Sequence, residues 1–337
     1  MKKGTKLFII AAASLALLLG GAATAFAGGR QDAQAGEKIT MIMATASNPG
    51  DSIVESFFQF EKLVEERSGG KIDVDIKHSG QLGGQRDYLE NLQMGSIQAA
   101  EITSSVLTSI DEKYGCFDLP YISRSVAHLQ TVMDAGLAKI LTEALESKTG
   151  IRNIGYAIRS PRSMYNSLRP IVVADDFNGM KVRIMESPVM TRTFQLLGAV
   201  PVPLAATERY MALQTKVVDA AENSVPLIIT QKEYEVTKYV SLTEHFITVN
   251  CTSVDTKFLN KLSADLNKII ADAGIEAAQF GTKLDSDSEA AALKKLEELG
   301  MTVNKVPDKS SFQKKVAPIY AEYRDKIGGA IIDMFTK

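Results

Sequence analysis

The 337-residue chain has no tryptophan, two cysteines and three histidines. His78, His128 and His245 are widely scattered, and none has a cysteine or a second histidine at metal-ligand spacing, so no zinc site is expected. Cys116 and Cys251 sit in apolar or strand-like contexts and read as lone buried thiols, although an oxidising compartment leaves a disulfide between them open. The G-x-S-x-G elbow, the Walker loop and the dinucleotide-type glycine run are all missing. Ser68-Gly69-Gly70-Lys71 lacks both the upstream glycine and the following Ser/Thr of a phosphate loop, and reads as a helix stop. The acid pairs Glu65-Glu66 and Glu297-Glu298 fit solvated helix faces better than general acid–base work. No catalytic residues, no enzymatic activity and no cofactor are expected. An excess of positive charge is also absent. The formal net charge is −2, and it becomes −5 once the three lysines of the leader are removed. Such a chain is a poor candidate for nucleic-acid or anionic-membrane binding.

What is present begins with a three-part leader. Lys2, Lys3 and Lys6 precede an uncharged apolar run over 7–27 that ends in Ala25-Phe26-Ala27. This predicts a signal peptide, 1–27, cleaved near Ala27/Gly28, and a periplasmic mature protein. The run is long enough to span a bilayer as a retained anchor, but Gly20-Gly21 interrupts it and small residues stand before Gly28. With no cysteine in the leader, a lipid anchor is not expected. A polar linker, 28–37, follows. The remaining ~310 residues exceed what one core usually holds, which points to two domains.

Along the mature chain, strands and helices alternate. Residues 39–44 read as a strand, then Asp51-Ser52 cap a helix whose buried stripe is Ile53, Phe57, Phe60 and Val64. Ile72, Val74 and Ile76 alternate with polar residues as a half-buried strand. A loop over 78–85 leads into a helix over 86–94, a short strand over 97–101, one helix over 126–148 and a strand over 151–157. The second half continues with strands at 171–173 and 181–184 and helices at 188–197 and 207–216. From Leu259 onward long helices dominate, with Pro307 between the last two. This alternation implies α/β sheets flanked by helices. LQMGSIQAAE (92–101) and LQTKVVDAAE (213–222) share five of ten residues. As a repeat, they would put Glu101/Ile102 and Glu222/Asn223 at equivalent strand ends of two facing lobes, where ligands of open α/β sheets bind.

The most specific stretches are RPIVVADDFNGMKVRIMES (169–187) and LLGAVPVPLAATERYMALQTKVVDAAEN (196–223). With SGGKIDVDI, QLGGQR and Asp118-Leu119-Pro120-Tyr121 in the amino-terminal half, they resemble, in order, the motifs of the substrate-binding (DctP-type) proteins of tripartite ATP-independent periplasmic (TRAP) transporters. Lys216 and Ala220 stand where that family usually has glycine, Ser224 where proline often follows, and Ala206 at a commonly aromatic position. The resemblance implies a two-lobed periplasmic binding protein fold: lobe I from 38–159 and 249–288, lobe II from 160–248 and 289–337. It also implies a monomer that closes on a small carboxylate and delivers it to a TRAP permease. A receptor serving another transporter or a sensor is the alternative.

The resemblance makes Arg183 the carboxylate clamp. Its place in a short strand fits, because a planar fork of donors matches a carboxylate at two points. Arg162 and Asn166 lie in the segment PRSMYNSLRPI, which matches the family's spacing, and Asn223 closes its V-D-x-x-E-N motif. Gln85, Thr103 and Ser104 are added from the first lobe, while Glu222 and Asp219 are read as holding the hinge or loop. Two arginines, many neutral polar groups and no tryptophan favour a hydroxylated monocarboxylate such as a sugar acid, with a C4-dicarboxylate as the alternative.

Overall fold

Eleven strands form two sheets in the computed structural model, which describes residues 38–336; the expected leader and linker lie outside the described residues. The strands are β1 (Ile39–Ala44), β2 (Ile72–Lys77), β3 (Ala99–Thr103), β4 (Ile151–Ile158), β5 (Arg162–Asn166), β6 (Lys181–Ile184), β7 (Val200–Pro203), β8 (Ala220–Asn223), β9 (Tyr239–Phe246), β10 (Val249–Asp255) and β11 (Thr302–Lys305). The first lobe is built on the order β2-β1-β3-β10-β4, with β10 antiparallel to both neighbours. The second is built on β11-β9-β5-β8-β6-β7, with β5 antiparallel to β8 and β9. The architecture is a two-lobed α/β fold, and helices cover the apolar faces of the sheets because each sheet face must bury its hydrophobic residues against another layer.

The chain passes between sheets twice within a few residues, from β4 to β5 and back from β9 to β10. These two crossings run side by side: the Arg159 N–H donates to the Thr248 carbonyl at 3.1 Å. A third connection is the 35-residue helix Ala264–Glu298. Its amino-terminal half lays Ala273, Gly274, Ala277 and Ala278 against β4 and the helix Ser52–Arg67, a stripe small enough for close approach. Its far end buries Ala292 and Leu296 in the second lobe's core. The boundary expected at 288/289 falls inside this unbroken helix. The chain's end departs from expectation as well. Phe312 and Val316 pack in the second lobe, but Ile319, Ile327, Ile331, Ile332 and Phe335 join the core around Tyr114, Cys116 and Leu129 of the first. Their apolar side chains close the open side of that core, so 289–337 does not belong to one lobe alone.

Two local expectations are corrected, and one strand is added that the sequence pattern did not show. No strand forms at 171–173, where the Val172 and Val173 N–H groups instead donate to the Asp176 carboxylate at 2.7 and 2.9 Å and both side chains are exposed. One of the second lobe's two central strands is β5, whose sequence RSMYN carries neither a period-two signal nor an apolar run, because it is buried on both faces and three of its five buried positions are polar. The helix expected over 126–148 is interrupted by a wide turn at Met133–Leu137, where Gly136 takes φ 117°, a conformation that glycine adopts without a Cβ penalty. Cys116 and Cys251 are both free and buried.

Candidate functional site

Between the lobes lies a cavity of about 540 Å³, lined from both sides. The first lobe contributes Glu101 and Thr103 from β3, Gln85 from the start of helix Gln85–Met94, Asn250 from β10, and Arg159 from the crossing after β4. The second contributes Arg162, Arg183 and Asn223 from β5, β6 and β8, with Leu204 from the loop after β7 and Arg209 from the start of helix Arg209–Gln214. Parallel strands β3, β6 and β8 end here, as expected of a ligand cleft in an open α/β sheet.

Arg183 is 1% exposed. Its Nε and Nη2 both donate to the Leu204 carbonyl, at 3.0 and 2.5 Å, which aims the guanidinium along the cleft wall. Nη1 is buried with no partner. Burial, reinforced by the neighbouring Arg209, pulls its pKa down to about 9, with Glu222 acting in the opposite sense. A cation held this way gains from an incoming anion.

Arg162 is also in the cleft, but it is already neutralised. Its Nε donates to Glu222 Oε2, its Nη2 to Glu222 Oε1 at 2.8 Å, and its Nη1 to Asn223 Oδ1 at 2.8 Å. Burial would raise the Glu222 carboxyl, yet Arg162 and His245 hold it down at about 2. Asn223 Oδ1 also accepts the Ser224 N–H at 2.9 Å, so Arg162 orients this amide at the cleft wall.

On the opposite wall, Gln85 accepts the Thr103 N–H at 2.9 Å and donates to Thr103 Oγ1 at 3.0 Å, locking both side chains at the lining. Two expected residues are elsewhere. Ser104 is fully buried behind the lining, with its Oγ accepting the Val249 N–H at 3.4 Å. Asn166 is at the far end of β5 from Arg162, where its Oδ1 caps the turn by accepting the Leu168 and Arg169 N–H groups at 2.8 and 2.9 Å. The short side chain of Asn166 serves its own backbone and cannot reach the cleft.

Sequence reasoning passed over several residues of the lining. Arg159 binds Asp51 at 2.8 Å and Asp285 at 2.9 Å and so ties the crossing to helix Ser52–Arg67 and the long helix. Arg209 pairs with Glu233 at 2.5 Å, and the Tyr165 hydroxyl donates to the same carboxylate at 2.5 Å. Glu101 and Asn250 also face the cleft. The repeat had drawn attention to Glu101; the others lie at scattered positions with no motif of their own.

Residues 43–326 match the model of the bacterial extracellular solute-binding protein family 7, the DctP family. The chain belongs to this family. A solute-binding protein of Sulfitobacter sp. (strain NAS-14.1) is 31% identical over 274 residues, covering 81% of this chain and 83% of that protein. Among solved structures, a TRAP periplasmic solute-binding protein from the same strain, with bound β-D-galacturonate, superposes with a TM-score of 0.83 at 30% identity, covering 88% of this chain and 98% of that one. Another from Sulfurospirillum deleyianum, with bound succinate, gives 0.85 at 28% identity, covering 89% and 98%. Family 7 proteins are solute receptors, and this chain is a TRAP-type solute-binding protein with the two-lobed fold of those structures.

Proposed function

We propose that the protein is a periplasmic receptor that closes its lobes on a hydroxylated monocarboxylate of the sugar-acid class and hands it to a TRAP permease. The observation that carries this reading is the buried, partnerless Nη1 of Arg183. Arg183 is also the one buried arginine of the lining with no carboxylate beside it, since Arg159, Arg162 and Arg209 each have one. One unbalanced cation calls for one anionic group. The neutral donors and acceptors of Gln85, Thr103, Asn223 and Asn250 suit hydroxyls, because each polar group buried without a partner costs about 1–3 kcal/mol. The galacturonate-bound relative supports the same class. The succinate-bound relative supports a dicarboxylate as the second reading.

Calorimetric titration of the purified protein with D-galacturonate, D-galactonate, succinate and malate decides between them. Sugar-acid binding with weak dicarboxylate binding is expected, and tight binding of the dicarboxylates alone would replace the first reading with the second. Small-angle scattering with and without the bound acid is expected to show compaction from lobe closure.

A further inference from the structure

Two buried ionisable side chains of the lining lack a counter-charge, and they stand on opposite lobes. One is Arg183 on β6. The other is Glu101 on β3, which is 3% exposed. The only other buried carboxylate of the lining, Glu233, has Arg209 against it. Glu101 has only neutral donors: Thr45 Oγ1 on Oε2, and Asn250 Nδ2 and Gln85 Nε2, the latter at 3.4 Å, on Oε1. A carboxylate offers about four lone-pair sites. Three are occupied here, so Oε2 keeps capacity for one further donor. Burial is the main influence on its pKa and raises it; Arg159 acts against this and Asp51 with it, and Tyr88 and Cys251 are the other titratable groups that feel its charge.

We propose that Glu101 is the specificity residue of the cleft, accepting a hydroxyl of the bound acid and excluding ligands that carry a second carboxylate. This rests on the reading that Arg183 holds the first carboxylate. With that end fixed on the second lobe, closure brings the rest of the ligand toward β3. A hydroxyl there donates to Glu101. A carboxylate there meets a like charge in a site with little water, a repulsive element of the kind that specificity requires.

The test uses two matched pairs, D-galactonate with galactarate and 4-hydroxybutyrate with succinate, in which a terminal hydroxymethyl is exchanged for a carboxylate. Wild-type protein and Glu101→Gln are titrated at pH 8. In wild type the hydroxy acid of a pair that binds is expected to bind at least about tenfold more tightly than its diacid, and Glu101→Gln is expected to shift that ratio toward the diacid by about tenfold. Thr45→Val removes a donor to Glu101 but keeps the carboxyl group, and should leave the ratio within about twofold. If Glu101→Gln does not fold, Glu101→Leu replaces it and should move the ratio the same way. An unchanged ratio, or the same change in Thr45→Val, overturns the assignment while leaving the carboxylate reading intact. Failure of all four acids to bind wild type overturns the carboxylate reading and the assignment with it.

Discussion

Arg162 and Glu222 lie on adjacent strands β5 and β8, both buried, and are joined by Nη2–Oε1 at 2.8 Å and by Nε–Oε2. Arg162 lines the cleft with Glu222 behind it, whereas Arg183 on β6, beside β8, has no such carboxylate. Two arginines of one site therefore have opposite energetic roles.

Removing Arg162 strands a buried carboxylate. Arg162→Ala is expected to lower stability by about 3–5 kcal/mol, measured by urea unfolding, and Arg162→Met with Glu222→Met should recover part of the loss. Because the Glu222 pKa is depressed to about 2, its contribution is present above 4.5, the ordinary value, and is lost as pH falls from there through 2. That acid-limb loss should be smaller in Arg162→Ala, where only His245 still favours the Glu222 carboxylate.

Arg183 should behave in the opposite way. Its charged form is disfavoured by burial, so Arg183→Met is expected to leave the ligand-free protein at least as stable as wild type near pH 7 while abolishing the ligand-induced rise in Tm. Arg183→Ala and Arg183→Lys should each cost about 1.5–3 kcal/mol of binding, roughly ten- to a hundredfold in Kd by calorimetry. Wild-type affinity in either would place the anchor elsewhere.

Glu101 predicts a pH effect of the other sign. A carboxyl whose folded pKa is raised contributes stability below 4.5 that disappears as pH climbs through the folded value. Glu101→Gln keeps the hydrogen bonds without the charge. Its Tm should exceed that of wild type at pH 7–8, with the gap closing toward pH 4; a constant gap would show that the charge is not the cause.

The long helix touches β4 at a point where no side chain fits. A Cβ on Gly155 would stand 2.4 Å from the Gly274 carbonyl oxygen, and one on Gly274 would stand 2.8 Å from that of Ile154. Either Gly→Ala variant is expected to lose about 1–3 kcal/mol in chemical denaturation, despite the higher helix propensity of alanine at 274.

The sequence by itself determined the alternation of strands and helices, the cap at Asp51, and the family, because these depend on local periodicity and on ordered motifs. It also picked out Arg183, Arg162, Asn223, Gln85 and Thr103, five residues that the fold brings to one cleft. Only the tertiary structure decided which of them is charged without a partner. The neutralising groups come from remote positions: Glu222 lies 60 residues from Arg162, and Asp285 126 from Arg159. The strand β5 was hidden because a strand buried on both faces has no alternating pattern, and Arg162, Ser163 and Asn166 at its buried positions remove the apolar run that would otherwise mark it. The return of residues 319–335 to the first lobe was hidden because an apolar helical stripe specifies that it must be covered, but not by which lobe.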